Sequence, residues 1–210
     1  MENNKILITI AREFGSGGRL IGMKLAEELQ IPCYDKALIN MVAEKSGLNP
    51  EFIENTEEYV KSKFFFGLTT TAYIRSSMFS ADYNVPINYK VFFAQSEVIR
   101  DLAEKESCII VGRASNYILR ENKNCIKIFI YADKEDKLKR ATETYQLSEA
   151  EAKEKMDTID KQRSNYYTCH TNNKWNSTEE YDIMINSSCT GIDGAVKMIA
   201  ELVKSQTSQN

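Results

Sequence analysis

Short apolar runs alternate with amphipathic stretches along most of the chain. The run KILITIA, residues 5–11, is nearly all apolar, as expected of a strand that is buried on both faces. After Arg19, apolar residues recur every three or four positions, which predicts a helix that ends before Pro32. This alternation is typical of an α/β fold in which helices cover a parallel sheet. Four further strands are predicted at residues 31–34, 108–112, 126–132 and 181–188.

Two segments interrupt the alternation of strands and helices. The first, residues 37–88, includes a helix start predicted at Asn49 and then becomes rich in aromatic and hydroxyl residues. The second, residues 140–175, includes a helix that Ser148 and Glu151 would cap. Open α/β sheets bind ligands beyond the carboxyl ends of their strands. We therefore expect both insertions to close over a ligand at that edge.

Composition narrows the class of protein. The chain has 210 residues, of which 42% are hydrophobic, enough for one sizeable core. Lys and Arg number 27 against 30 Asp and Glu, so no overall basic field would attract nucleic acid or an anionic membrane surface. No apolar run approaches the roughly 20 residues that span a bilayer, and the N-terminus lacks the apolar core of a signal peptide. We expect one cytoplasmic domain, residues 1–210, whose partners are neither nucleic acids nor membranes; its oligomeric state stays open.

The number and spacing of the cysteines and the histidine argue against stabilisation by disulfide bonds or by a bound zinc ion. The chain has five scattered cysteines, no C-x-x-C pair and one histidine. An odd number of cysteines without paired spacing predicts neither a disulfide framework nor a zinc site. No residue is therefore assigned as a metal ligand.

A glycine-rich turn separates the first predicted strand from the first predicted helix. Glycine permits backbone conformations that side chains disfavour, and amides at a helix N-terminus converge on anions. The full phosphate-binding loop, G-x-x-x-x-G-K-[ST], also has a lysine for the β- and γ-phosphates. Here Gly18 stands at the lysine position, and Arg12 and Arg19 flank the turn. The turn alone leaves a phosphate site and a plain tight turn equally open. Its residues are Gly15, Ser16, Gly17 and Gly18.

Several stretches occur in the order that is found in a known family. They are VFFAQSEVIRDLAEKESCIIVGRASNYIL, then IKIFIYADKEDKLKRATETY, the D-x-x-R pair of Asp160 and Arg163, and finally YDIMINSSCTGIDGAVKMI. Together they resemble the bacterial cytidylate kinases and, more closely, the cytidylate kinase-like family. The resemblance covers nearly the whole chain and is weakest between residues 64 and 88. It implies a P-loop kinase-like fold of three layers, with a central parallel sheet of about five strands. Residues 37–88 would be a helical substrate-binding insertion, and residues 140–175 an arginine-bearing lid.

The resemblance also implies roles for individual residues. Gly15, Ser16 and Gly17 would form the phosphate loop. Asp35 matches an aspartate close to the acceptor nucleotide, and Arg113 matches the arginine that contacts the acceptor monophosphate. Asp160 and Arg163 match a lid pair that approaches the cytosine and the phosphates. The sequence departs from the cytidylate kinase pattern at Lys36, Asn40 and Met156.

The reaction that the resemblance implies is transfer of the γ-phosphoryl group of ATP, with Mg²⁺, to a small acceptor such as CMP. Arg19, or failing that Arg12, would supply the charge of the missing lysine. Arg140 and Arg163 would close from the lid onto the donor phosphates. The alternative is a nucleotide- or anion-binding regulatory protein that retains the fold without turnover. An RNA-binding protein has little support from the charge balance.

Several of these residues also have plain structural interpretations. Asp160 and Arg163, three positions apart, would form an ordinary exposed ion pair on a helix. Residues 133–140 are expected to form a solvated helix face. His170 has no evident carboxylate or nucleophile partner in the sequence, so we expect no catalytic role for it. The remaining aromatic residues of this region are expected to pack the lid: Tyr166, Tyr167 and Trp175.

Overall fold

The computed structural model describes residues 5–59 and 86–207. Five parallel strands form one sheet in the order β2-β3-β1-β4-β5. The first strand is central, because β1 pairs with β3 on one side and with β4 on the other. Its carboxyl end therefore lies at a switch point in strand order, where open α/β sheets bind ligands. The strands are β1 Leu7–Arg12, β2 Cys33–Tyr34, β3 Cys108–Val111, β4 Cys125–Tyr131 and β5 Ile183–Asn186.

Eight helices cover the sheet within the described residues, and a 3₁₀ turn spans Thr178–Glu180. Successive side chains of β1 point to opposite faces of the sheet. Ile8 and Ile10 pack with α1 and α8, whereas Leu7 and Ala11 belong to the core formed with α2, α4 and α7. This arrangement confirms the predicted α/β fold of three layers. The helices are α1 Gly18–Leu29, α2 Lys36–Ser46, α3 Pro50–Tyr59, α4 Ile87–Lys105, α5 Ser115–Ile118, α6 Lys134–Tyr145, α7 Glu149–Thr171 and α8 Ser187–Thr207.

The predicted helix starts are confirmed where local chemistry defines them. The Glu51 amide donates to the Asn49 side chain at 2.9 Å. Helix α3 begins at Pro50, directly after Asn49. Ser148 and Glu151 form the reciprocal bonds of a capping box at the start of α7. Such contacts involve residues only two or three positions apart, which is why the sequence predicts them.

The two interrupting segments contribute helices that meet each other. The first supplies most of α2 and all of α3, although its residues 60–85 lie outside the described part of the chain. The second begins inside α6 and contains α7. Helix α3 packs against α7, so the predicted insertion and the predicted lid are in contact. Within the described residues, no helix is both long enough and apolar enough to cross a membrane.

Candidate active site

The glycine turn joins β1 to α1 at the centre of the sheet. Gly15 and Gly17 have φ values of 75° and 80°, in the left-handed region that favours glycine. A Cβ atom on Gly15 would lie 2.8 Å from the carbonyl oxygen of Lys137, and one on Gly18 would lie 2.5 Å from Cβ of Arg12. Gly15 is therefore favoured by both backbone conformation and space, Gly17 by its conformation and Gly18 by space.

The carbonyl groups of the turn are held by donors from elsewhere in the chain. The Arg140 guanidinium donates to the carbonyl of Gly15, and the Ser187 hydroxyl donates to the carbonyl of Ser16 at 2.6 Å. The Ser16 hydroxyl in turn donates to the carbonyl of Glu13 at 2.8 Å. Ser16 is fully buried, so its side chain belongs to the interior of the turn.

The N-terminus of α1 adjoins the turn. Gly17 is the N-cap residue, and the first backbone bond of the helix runs from the Ile21 amide to the Gly17 carbonyl. The amides that precede Ile21 have no acceptor within the helix. The first turn of α1 contains no acidic residue. The predicted placement of a helix N-terminus directly after the glycines is confirmed, and such a terminus attracts anions.

A cavity of about 240 Å³ opens in front of the turn. Among the described residues that line it are five cationic and three carboxylate side chains, although the chain as a whole carries a net charge of −3. The cavity therefore has a local excess of positive charge. Its charged residues are Arg12, Glu13, Arg19, Asp35, Lys36, Glu54, Arg113 and Arg163.

Arg12 and Arg19 both approach one carboxylate. Nε of Arg19 lies 2.8 Å from Oδ2 of Asp35, and a guanidinium nitrogen of Arg12 lies 3.9 Å from Oδ1. Asp35 is also the N-cap residue of α2, yet its side chain makes no capping hydrogen bond. The carboxylate thus faces the two arginines, although aspartate at this position ordinarily caps the helix.

Arg113 lies directly after β3, in a turn with unusual backbone geometry. Gly112, Arg113 and Ala114 have φ values of 77°, 61° and 51°. The Arg113 guanidinium donates to the carbonyl of Ile53 on α3 at 3.3 Å and lines the cavity. A Cβ atom on Gly112 would overlap the Arg12 guanidinium, so the absence of a side chain there admits Arg12.

The predicted lid pair, Asp160 and Arg163, lies against the glycine turn. Asp160 accepts a hydrogen bond from the Phe14 amide at 2.6 Å, and Arg163 donates to the carbonyl of Arg12 at 3.0 Å. The two side chains are 3.4 Å apart and about one-sixth exposed, so the alternative interpretation as an ordinary exposed ion pair is wrong. Burial raises the pKa of Asp160, although the Phe14 amide and nearby cations oppose that shift.

Lys137 completes this cluster, and sequence reasoning missed it. Its ammonium lies 2.9 Å from a carboxylate oxygen of Glu13 and 3.6 Å from one of Asp160. The prediction that residues 133–140 form a solvated face is wrong here, because Lys137 is only 9% exposed. The sequence around Lys137 holds no local signal of this burial, since its neighbours Asp136 and Lys139 are charged as well.

Arg140 contacts the outer side of the turn. Apart from its bond to Gly15, its guanidinium packs close to Gly17, and Arg140 is not among the described residues that line the cavity. The structure therefore brings Arg140 to the loop without placing it in the cavity, while the other predicted arginines do line it. These are Arg12, Arg19, Arg113 and Arg163.

The aromatic residues near the end of α7 are structural, as expected. Tyr166 and Tyr167 are almost fully buried, and Trp175 packs edge-on against Phe129. The His170 ring stacks on Phe92 at a centroid distance of 4.3 Å. Burial lowers the pKa of His170 to about 4, so the ring is neutral at pH 7.

The residues fit the two expected cofactors differently. The glycine turn and the amides at the start of α1 fit the phosphates of ATP. For Mg²⁺, the loop is followed by Arg19 and Leu20, and neither carries the hydroxyl group of the full motif. Within the described residues, no group of three acidic, histidine or cysteine side chains is placed to hold a metal. Mg²⁺ that accompanies ATP would be held mainly by the nucleotide phosphates and water.

Residues 7–189 match the sequence profile of the cytidylate kinase-like family. The chain belongs to this family. A crystal structure of an uncharacterized protein from Eubacterium ventriosum is 32% identical, covers 96% of this chain and 99% of its own, and superposes with a TM-score of 0.70. No curated protein sequence matches this cytidylate kinase-like chain.

More distant solved structures share the fold of this cytidylate kinase-like protein. Shikimate kinase from Bacteroides thetaiotaomicron has a TM-score of 0.52 at 14% identity, with coverage of 95% of this chain and 98% of its own. A gluconokinase from Sinorhizobium meliloti has a TM-score of 0.52 at 12% identity, with coverage of 100% and 99%. These likenesses show the P-loop kinase fold alone. Together with the family membership, the fold supports a phosphotransferase.

Proposed function

We propose that the chain transfers the γ-phosphoryl group of ATP to a small phosphate-bearing acceptor, a nucleoside monophosphate such as CMP. The observation that carries the proposal is the convergence of four arginines and the glycine turn on one cavity. Phosphoryl transfer depends mainly on positioning the phosphates and neutralising their charge. In a chain of net negative charge, this concentration of guanidinium groups fits a site for phosphates.

On the donor side, the amides of Gly17, Gly18 and the first turn of α1 would bind the ATP phosphates. Arg19 and Arg12 lie beside the turn and would replace the missing lysine. Arg140 would act through the turn, because its guanidinium bonds to the carbonyl of Gly15. When bound, Mg²⁺ would offset charge on the transferred group.

On the acceptor side, Arg113 would hold the acceptor phosphate, since a guanidinium forms two parallel bonds to such a group. Arg163 lines the same cavity from α7 and would neutralise charge on the phosphate being transferred. Asp160 would keep Arg163 in place, given their separation of 3.4 Å. We place Asp35 between the two substrates, because it lines the cavity and pairs with both arginines of the donor side.

A second candidate is a nucleotide- or anion-binding regulatory protein. One observation favours it: Asp35 pairs with Arg12 and Arg19, the two cations that would replace the loop lysine. Such a protein would bind ATP or another anion without turnover.

The test is incubation of the purified protein with ATP, Mg²⁺ and a panel of nucleoside monophosphates and other phosphate acceptors, with ADP as the readout. We expect ADP to form with at least one acceptor, and its rate to fall at least about tenfold in Arg113→Ala. Lys105→Ala, at the far end of α4, is the matched control that removes a cation elsewhere. ATP binding without ADP formation would favour the regulatory protein. Absence of ATP binding would contradict the kinase, and absence of binding to ATP and to every other anion in the panel would contradict both candidates.

A further inference from the structure

We propose that Gln95 is a positioning residue for Arg113, so that a buried amide on α4 sets the affinity for the phosphate-bearing acceptor. The inference rests on the proposed function, which gives Arg113 the acceptor phosphate. It adds a residue that is not among the described residues lining the cavity.

The turn after β3 requires external support. Gly112, Arg113 and Ala114 are three consecutive residues in the left-handed region, and two of them carry side chains. For residues with a Cβ atom this conformation is unfavourable, and it persists where surrounding contacts enforce it. Strained backbone of this kind clusters at ligand sites, which is where this turn lies.

Gln95 supplies one enforcing contact from a side chain, beside backbone bonds that link Gly112 to Ile10 and Ser115 to Gly112. Its Nε2 donates to the carbonyl of Arg113 at 2.8 Å and to the hydroxyl of Tyr166 at 3.0 Å. The two hydrogens of the amide nitrogen match these two acceptors. Gln95 is 1% exposed, and a buried amide of this kind is costly unless it is hydrogen-bonded. The Gln95 side chain therefore connects the Arg113 carbonyl both to α4, which carries Gln95, and to α7, which carries Tyr166.

The backbone conformation of Arg113 decides where its guanidinium lies. Because the residue has a φ of 61°, its side chain leaves the turn toward α3, where it donates to the carbonyl of Ile53 and lines the cavity. A return of Arg113 to an ordinary φ would redirect that side chain. Without the Gln95 bond, the strain of the turn favours this return, and the acceptor phosphate loses its partner.

The experiment compares three variants by steady-state kinetics, with the acceptor that the ADP assay identifies. Gln95→Met keeps the length of the side chain and removes the amide. Tyr166→Phe is the matched control, because it removes the bond to Tyr166 and leaves the bond to Arg113. Arg113→Ala gives the effect of losing the guanidinium. We expect Gln95→Met to raise the acceptor KM at least tenfold, toward the Arg113→Ala value, with the ATP KM within about twofold of the parent. For Tyr166→Phe, the KM for the acceptor and the KM for ATP should both stay within about threefold of the parent values.

The outcomes separate this inference from the proposed function. An acceptor KM that rises in Arg113→Ala but not in Gln95→Met overturns the role of Gln95. An unchanged KM in Arg113→Ala overturns the proposed role of Arg113, and a crystal structure of Gln95→Met then tests the positioning alone. The inference requires that Arg113 leaves its left-handed φ in that structure and fails if φ is retained. If Gln95→Met does not fold, Gln95→Asn replaces it. Its side chain is shorter by one methylene group, so the amide no longer reaches the Arg113 carbonyl, and the same KM values and the φ of Arg113 are measured.

Discussion

Nε of Arg19 lies 2.8 Å from Oδ2 of Asp35, so a residue predicted for the donor is paired with one predicted for the acceptor. The pair spans the gap between the first helical turn of α1 and the end of β2. The side chain of Arg19 is 49% exposed and that of Asp35 21%. A ligand in the cavity can therefore reach the pair. When a phosphate binds there, the Arg19 guanidinium can contact the phosphate in place of the Asp35 carboxylate.

The first prediction concerns the replacement of the loop lysine. Arg19→Ala and Arg12→Ala should each weaken ATP binding at least about tenfold, roughly 1.4 kcal/mol, because each removes a cation beside the glycine turn. Isothermal titration with a non-hydrolysable ATP analogue measures it. Lys24→Ala is the matched control: Lys24 also lies on α1, but it pairs with Asp193 at 2.6 Å and is not among the described residues lining the cavity. Parent-like affinity in both arginine variants would remove the basis for a rebuilt loop.

A second prediction concerns the stability of the Arg19–Asp35 pair. A double-mutant cycle with Arg19→Ala and Asp35→Asn should give a coupling energy below about 1 kcal/mol, because half-exposed ion pairs are screened by water. Urea unfolding of the parent, the two single variants and the double variant measures it. A coupling of several kcal/mol would show that the pair is structural.

A third prediction concerns the cluster around Lys137. Lys137→Met should lower the free energy of unfolding by about 2–3 kcal/mol, because it leaves the carboxylates of Glu13 and Asp160 without their shared ammonium. Thermal or urea unfolding at pH 7 measures the change. Lys139→Met, on an exposed position of the same helix, is the control and should change stability by less than about 0.5 kcal/mol. Equal effects in both variants would contradict the assignment of Lys137 to a buried cluster.

A fourth prediction concerns acid stability. The pKa of His170 is lowered from 6.5 to about 4 in the folded chain, so the unfolded chain binds the proton first as the pH falls. His170 therefore costs stability progressively between about pH 6.5 and 4, by up to roughly 1 kcal/mol per pH unit and less if the ring is hydrated. His170→Phe keeps the stacking on Phe92 and should flatten this part of the profile. Parallel profiles for the parent and the variant would show that His170 titrates normally.

The fifth prediction concerns closure over the substrates. A kinase must exclude water from the transferred phosphoryl group, so residues 37–59 and 140–175 should gain protection from hydrogen exchange when an ATP analogue and the acceptor are both present. Helix α3 already packs on α7, which gives these segments a surface along which to close. Helix α8, on the other face of the sheet, is the internal control. Protection that is unchanged in both segments would count against closure.

Local patterns in the sequence were sufficient to predict the strands and the starts of several helices. The apolar run at the N-terminus, the capping residues Asn49 and Ser148, and the glycines before α1 each act within a few positions of the chain. Such contacts depend on periodicity, backbone preference and short-range hydrogen bonds. For that reason the five strands and the helix after the glycine turn could be predicted from local patterns, whereas the three-layer fold was implied by the resemblance to the cytidylate kinases.

Only the tertiary structure decided which charged groups meet. Lys137 and Glu13 are 124 positions apart, and Gln95 reaches Arg113 across 18 positions and Tyr166 across 71. Nothing local distinguishes Lys137 from its exposed neighbours, because its burial depends on the turn against which α6 packs. The pairing of Arg12 and Arg19 with Asp35 likewise depends on how β1 and β2 flank β3. A sequence determines the chemical character of each side chain, but long-range packing determines its partner, since hydrogen bonds and close ion pairs form only between groups that lie within a few ångströms of each other.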